Sequence, residues 1–184
     1  MLYRFDVNLT DEEYFKFNVF MQTKTKTGKK NILLSRILCV VFTIILSFII
    51  LVTGFLKVRP ILFLTLIVVM TIIYQIKYIS LLKHRIKKTI SLYKNQGKFT
   101  YSPKSVIEFD DERIYEITDE SRIEHKLSNM EYVSICEYDK VIYICFNAAM
   151  TFVMPYRVFE NDEQREEFIE FLKVKCKKVD VYIK

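Results

Sequence analysis

The chain has 184 residues, enough for two membrane spans and one modest soluble domain rather than two. Its net charge of +6 hides a division: residues 77–98 carry seven basic and no acidic side chains, whereas 99–184 carry twelve basic against eighteen acidic. A nucleic-acid binder would put its basic excess on the folded domain, so this pattern argues against nucleic acid as a partner.

In chain order, Leu2 to Leu9 alternates, with Tyr3, Phe5, Val7 and Leu9 on one face and Arg4, Asp6 and Asn8 on the other. That is the pattern of a half-buried strand. Thr10-Asp11-Glu12-Glu13 reads as a capping box opening a helix that gathers Tyr14, Phe17, Asn18 and Met21 on one side. Gln22 to Lys30 reads as a basic linker. Ile37 to Leu56 then runs twenty residues without a charge, about 30 Å as a helix. Lys57-Val58-Arg59-Pro60 links it to a second uncharged run, Ile61 to Ile76, which Tyr78, Ile79, Leu81 and Leu82 extend. In lipid only helices and closed barrels satisfy their own backbone, so the two runs predict a helical hairpin. The first run starts too far in, and is too long, for a signal peptide.

Lys24, Lys26, Lys29, Lys30 and Arg36 precede the first span; Lys77, Lys83, Arg85, Lys87, Lys88, Lys94 and Lys98 follow or close the second. The positive-inside rule places both flanks, and so both termini, in the cytoplasm. Thr43, Ser47, Thr53, Gly54, Thr65 and Thr71 read as contacts between the spans. Beyond the membrane a basic amphipathic helix continues to Asn95-Gln96-Gly97, with Ile79, Leu82, Ile86, Ile90 and Tyr93 at helical spacing.

Short strands come next: Phe99–Tyr101, Ser105–Phe109, Arg113–Thr118, Arg122–Leu127, Tyr132–Tyr138, Val141–Phe146 and Met150–Met154. Asp139-Lys140 marks a hairpin, with Val133, Ile135, Ile142, Ile144 and Phe146 on one face. Asn161-Asp162-Glu163 opens a last helix with Phe168, Ile169, Leu172 and Cys176 as its core stripe. Strands closed by one helix are the order of a pleckstrin-homology-like (PH-like) roll. The expected fold class is an α+β membrane protein: a two-helix transmembrane hairpin plus a cytoplasmic antiparallel β PH-like roll capped by a C-terminal helix. The expected divisions are 1–30 (strand and amphipathic helix), 31–82 (hairpin, spans about 37–56 and 61–79), 83–98 (basic juxtamembrane helix) and 99–184 (PH-like domain).

Three features together resemble the YcxB-like family of bacterial membrane proteins. They are Leu9-Thr10-Asp11-Glu12-Glu13-Tyr14, the two-span hairpin, and a C-terminal module running through Tyr132-Val133-Ser134-Ile135-Cys136-Glu137 and Phe152-Val153-Met154-Pro155-Tyr156-Arg157-Val158-Phe159. Family members often carry a Trp just before the strand that Tyr132 opens here; this chain has none. The resemblance implies a small multi-pass protein of the bacterial cell membrane with a PH-like soluble domain. It supplies no catalytic residues.

No residue pattern points to catalysis, a cofactor or a metal. His84 and His125 stand apart, and no C-x-x-C or H-x-x-x-H spacing occurs. Gly28, Gly54 and Gly97 form no phosphate loop. Asp110-Asp111-Glu112 reads as a solvated turn rather than a cation site, and Ser121 and Ser134 have no His partner in any motif. Cys39, Cys136, Cys145 and Cys176 read as cytoplasmic thiols. The functional-looking feature is the basic band, with Lys83, Arg85, Lys87, Lys88, Lys29 and Lys30 as candidate contacts to anionic lipid headgroups. The leading expectation is a non-enzymatic binding or regulatory module held at the cytoplasmic membrane face, with the lipid bilayer and a protein as partners and a homo-oligomer compatible with the sequence. The alternative is an accessory or immunity-type subunit acting through its hairpin on another membrane protein or on lipid.

Overall fold

A computed structural model describes residues 2–53, 60–97, 101–118, 121–146, 150–176 and 178–182. The expected link 57–59, the strand start Phe99-Thr100 and the end of the first span lie outside the described residues. The fold is α+β and divides into two units, one formed by 1–16 with 97–184 and the other by 17–96.

In the first unit, β1 (Tyr3–Asn8) pairs antiparallel with β2 (Lys104–Phe109), from Tyr3 opposite Phe109 to Asn8 opposite Lys104. The N-terminal strand therefore belongs to the C-terminal module, whereas the sequence pattern keeps 1–30 apart from 99–184. The alternation of β1 is as expected, but a strand's partner cannot be read from its own residues. β3 (Arg113–Ile117) and β4 (Arg122–Lys126) complete a sheet ordered β1-β2-β3-β4. The second sheet contains β5 (Tyr132–Cys136), β6 (Val141–Cys145), β7 (Thr151–Pro155) and β8 (Val179–Tyr182), ordered β7-β6-β5-β8. β8 runs parallel to β5 and has no counterpart among the strands expected from sequence.

Val133, Ile135, Ile142, Ile144 and Phe146 share the core-facing side, as expected. Ser134, Cys136, Tyr143 and Cys145 on the opposite side are fully buried too, so β5 and β6 are enclosed on both faces. The final helix (Asp162–Lys175) is α4 in chain order; Asn161 caps it by accepting from the Gln164 N–H at 2.7 Å. It drives Phe168 among Tyr3, Phe5, Phe109 and Phe159, with ring centroids 4.9–5.5 Å apart. Leu172 and Cys176 are buried beside it and Ile169 partly so. One helix thus completes a core that the first sheet cannot close alone.

The helical elements are α1 (Asp11–Thr23), α2 (Lys26–Thr53) and α3 (Pro60–Asn95). The capping box forms: Thr10 N–H donates to Glu13 Oε2 at 2.9 Å and Glu13 N–H donates to Thr10 Oγ1 at 3.2 Å. The expected linker 22–30 is mostly helix instead. Thr25 Oγ1 accepts from the Gly28 N–H at 3.0 Å and starts α2 within a few residues of the end of α1. Gly28 is required there, because a Cβ would lie 2.3 Å from the Met21 carbonyl oxygen. α2 and α3 have 28 and 36 residues, about 42 and 54 Å, long and apolar enough to cross a membrane. α3 carries straight on through the basic segment and is followed by Gly97 at φ 68°.

Candidate functional site

The division into two units sharpens the charge asymmetry. Residues 17–96 hold thirteen basic and no acidic side chains, and the rest of the chain holds fifteen basic and twenty-two acidic. No carboxylate inside the helical unit can neutralise its cations. Their counter-charge must come from solvent, lipid or another part of the assembly.

Within that unit a polar seam runs between α2 and α3. Thr43 and Thr71 hydroxyls lie 2.9 Å apart, and each also reaches the carbonyl one turn back in its own helix, Cys39 and Ile67, so that one hydroxyl donates across the seam while the other donates to its own helix. Farther along, Gln75 Nε2 donates to the Arg36 carbonyl at 3.1 Å, and Arg36 Nη2 reaches back to the Gln75 carbonyl at 3.5 Å. The Arg36 guanidinium carbon lies 5.6 Å from the Tyr78 ring centroid, within cation–π range. Arg36 Nε is shut off from solvent and has no hydrogen-bond partner among the described residues.

The six basic residues singled out from sequence are all exposed. Lys83, Arg85, Lys87 and Lys88 lie on the part of α3 beyond its uncharged run, around the buried Ile86 and the half-buried Leu82 and Ile90. Lys83 and Lys87 share one face by their i, i+4 spacing, while Arg85 and Lys88 point elsewhere around the helix. Lys29 and Lys30 occupy the first turns of α2. They make an electropositive band rather than a closed pocket. Sequence reasoning counts Arg36 only as a topology signal and misses Gln75. The available clue is that, in an antiparallel hairpin, both fall at the same edge of an uncharged run.

In the β module, Glu13 joins the start of α1 to the segment after β7. Arg157 Nε and Nη2 donate to its two carboxylate oxygens at 2.9 and 2.8 Å, and Nη2 also donates to the Asn8 carbonyl. Burial pushes the Glu13 carboxyl upward, but the hydrogen bonds from Arg157 and Thr10 outweigh it and hold the pKa below its ordinary value. Tyr101 donates to Asp11 at 2.8 Å; burial, and then that bond, push its pKa to about 12. Burial raises the Glu116 carboxyl, which sits opposite Ile107 and Ile123 in the ladder. Burial likewise raises the Cys145 thiol, the reverse of what a thiolate nucleophile needs. Cys136 and Cys145 share a face of one hairpin, as expected, but stand opposite Val141 and Tyr132 and remain free thiols. His84 is exposed, and His125 lies 5.6 and 5.9 Å from the Phe146 and Phe152 rings. Asp110-Asp111-Glu112 forms the turn between β2 and β3. Among the described residues no three His, Cys, Asp or Glu side chains are grouped to hold a metal. Compared with protein-family models, curated proteins and solved structures, the chain matches none of them.

Proposed function

We propose that this protein is a non-enzymatic, membrane-anchored binding module: a PH-like roll of the YcxB-like kind held by a transmembrane hairpin at the cytoplasmic face, where it engages a protein partner. The observation that carries this reading is the pairing of β1 with β2 across 95 intervening residues, which include both long apolar helices. The hairpin is an insertion between two neighbouring strands of one module. An even number of crossings returns the chain to the side it left, as the pairing requires; a single crossing would put the two strands on opposite sides. The basic flanks favour the cytoplasm as that side.

The module carries a net excess of seven acidic charges, and Asp162, Glu163, Glu166, Glu167 and Glu170 are exposed along α4. The partner surface this suits is basic. The exposed lysines and arginines of α2 and α3 serve a second contact, to anionic headgroups, at about 1 kcal/mol for each residue near the surface.

Photo-crosslinkers placed singly at Glu166 and Glu170, and at the apolar positions Phe42, Phe48 and Ile72, read out the contacts in native membranes. A discrete adduct from the α4 positions, competed by high salt, is the expected result. Adducts arising only from the helix positions would overturn it in favour of a subunit that works through its hairpin. Tags on both termini should be shielded in intact cells and labelled after permeabilisation.

A further inference from the structure

Arg36 closes the charged flank of α2, immediately before its uncharged run, yet its side chain turns back between the two helices. A guanidinium offers five N–H donors. The 3.5 Å approach to the Gln75 carbonyl engages one of them weakly, and the solvent-shielded Nε engages nothing among the described residues. Arg36 is only half-buried, and an anion that meets its weakly engaged terminal nitrogens offsets the cost of holding that charge between the helices most directly. No side chain from 17 to 96 can supply one, since the segment has no Asp or Glu.

We propose that Arg36, framed by Gln75 and Tyr78, seats the phosphate of an anionic phospholipid at the boundary of the membrane. The proposal rests on α2 and α3 being membrane spans. In that setting Arg36 and Gln75, bonded across the hairpin, lie at the level where an uncharged run meets basic residues, Lys77 among them. That is the level of lipid phosphates, and Tyr is enriched there. The planar fork of Arg suits two phosphate oxygens at once, and Gln75 holds the arginine's backbone while Tyr78 packs against the guanidinium. Lys29 and Lys30, about two turns nearer water along α2, add attraction to the surface without belonging to the seat.

The experiment uses the full chain reconstituted into phosphatidylglycerol/phosphatidylcholine vesicles, extracted in mild detergent and weighed intact by native mass spectrometry. The wild type is expected to retain one phosphatidylglycerol. Arg36→Gln should lower that occupancy at least about tenfold. Arg36→Lys, which keeps the charge and loses the fork, should fall between them. Lys126→Gln, an exposed cation on β4 that removes one charge away from the helices, should leave retention unchanged. A disulfide between Thr43→Cys and Thr71→Cys, formed in the Arg36→Gln background, reports that the helices still pack. If that disulfide fails to form, retention by Arg36→Lys decides. Equal retention by wild type and both Arg36 variants overturns the seat, as does displacement of the lipid by millimolar inorganic phosphate. Carbonate extraction keeps the premise separate: release of the wild type from the membrane fraction would sink the spans themselves, whereas retention with no Arg36 effect would sink only the seat.

Discussion

Glu13 closes the first turn of α1 and, through Arg157, fastens that turn to a residue 144 positions away. The first role is legible in the sequence, because Thr10 and Glu13 have the spacing of a reciprocal cap. The second is not, because nothing local to either residue names the other. A carboxyl whose folded pKa is depressed stabilises the fold above its unfolded value, and that contribution is lost as pH falls through the folded value. In the wild type the Glu13 contribution should therefore be whole above about pH 4.5 and fade below it. The Glu13→Gln variant should lack that component of the acid limb, followed by tyrosine fluorescence during acid titration. Arg157→Ala is expected to cost about 1 kcal/mol at neutral pH, because the pair is bidentate but half open to water. Arg157→Lys should recover part of it. Arg36 teaches the same point about range: its identity is plain in the sequence, but its role depends on a carbonyl 39 residues on.

Elements with their own punctuation are readable. α4 announces itself by Asn161, its early acids and a stripe that places Phe168 and Leu172 in the core. The β5–β6 hairpin is visible in the facing pairs Val133–Ile144 and Ile135–Ile142. Asn161→Ala should cost about 1 kcal/mol, the usual loss of an N-cap. Phe168→Ala should cost about 3–5 kcal/mol, because the buried ring meets five other aromatic rings. Urea melts of the detergent-solubilised chain, scored by midpoint, check both and should rank them in that order. The misses have local causes. β8 is four residues long, near the chain end, and its hydrogen bonds go to a strand more than forty residues earlier. The start of α2 is hidden because lysines surround Thr25, and a run of lysines looks like a linker until its cap is recognised.

For the molecule as a whole, the uncharged runs disclose the two long helices, and alternation discloses most strands. What stays out of reach is that the chain opens and closes one module around the helices. Strand pairing is a non-local property, and β1 would read the same whichever strand it met. Deleting residues 2–9 should bare Phe109 and Phe168, which pack against Tyr3 and Phe5. Limited proteolysis should then cut within 99–184 at protease levels the intact chain withstands, while the truncated protein still fractionates with membranes. An unchanged digestion pattern would mean that β1 contributes little to the module.

The same pairing fixes an order of events at the ribosome. Translation at roughly 5–20 residues per second separates Asn8 from its partner Lys104 by about 5–20 s. Throughout that interval a nascent strand bearing Tyr3, Phe5 and Val7 has nothing to pair with, while the two long helices are being made. A holding chaperone is the natural shelter for it, and slowing synthesis within the codons of 60–95 should lengthen its exposure in proportion.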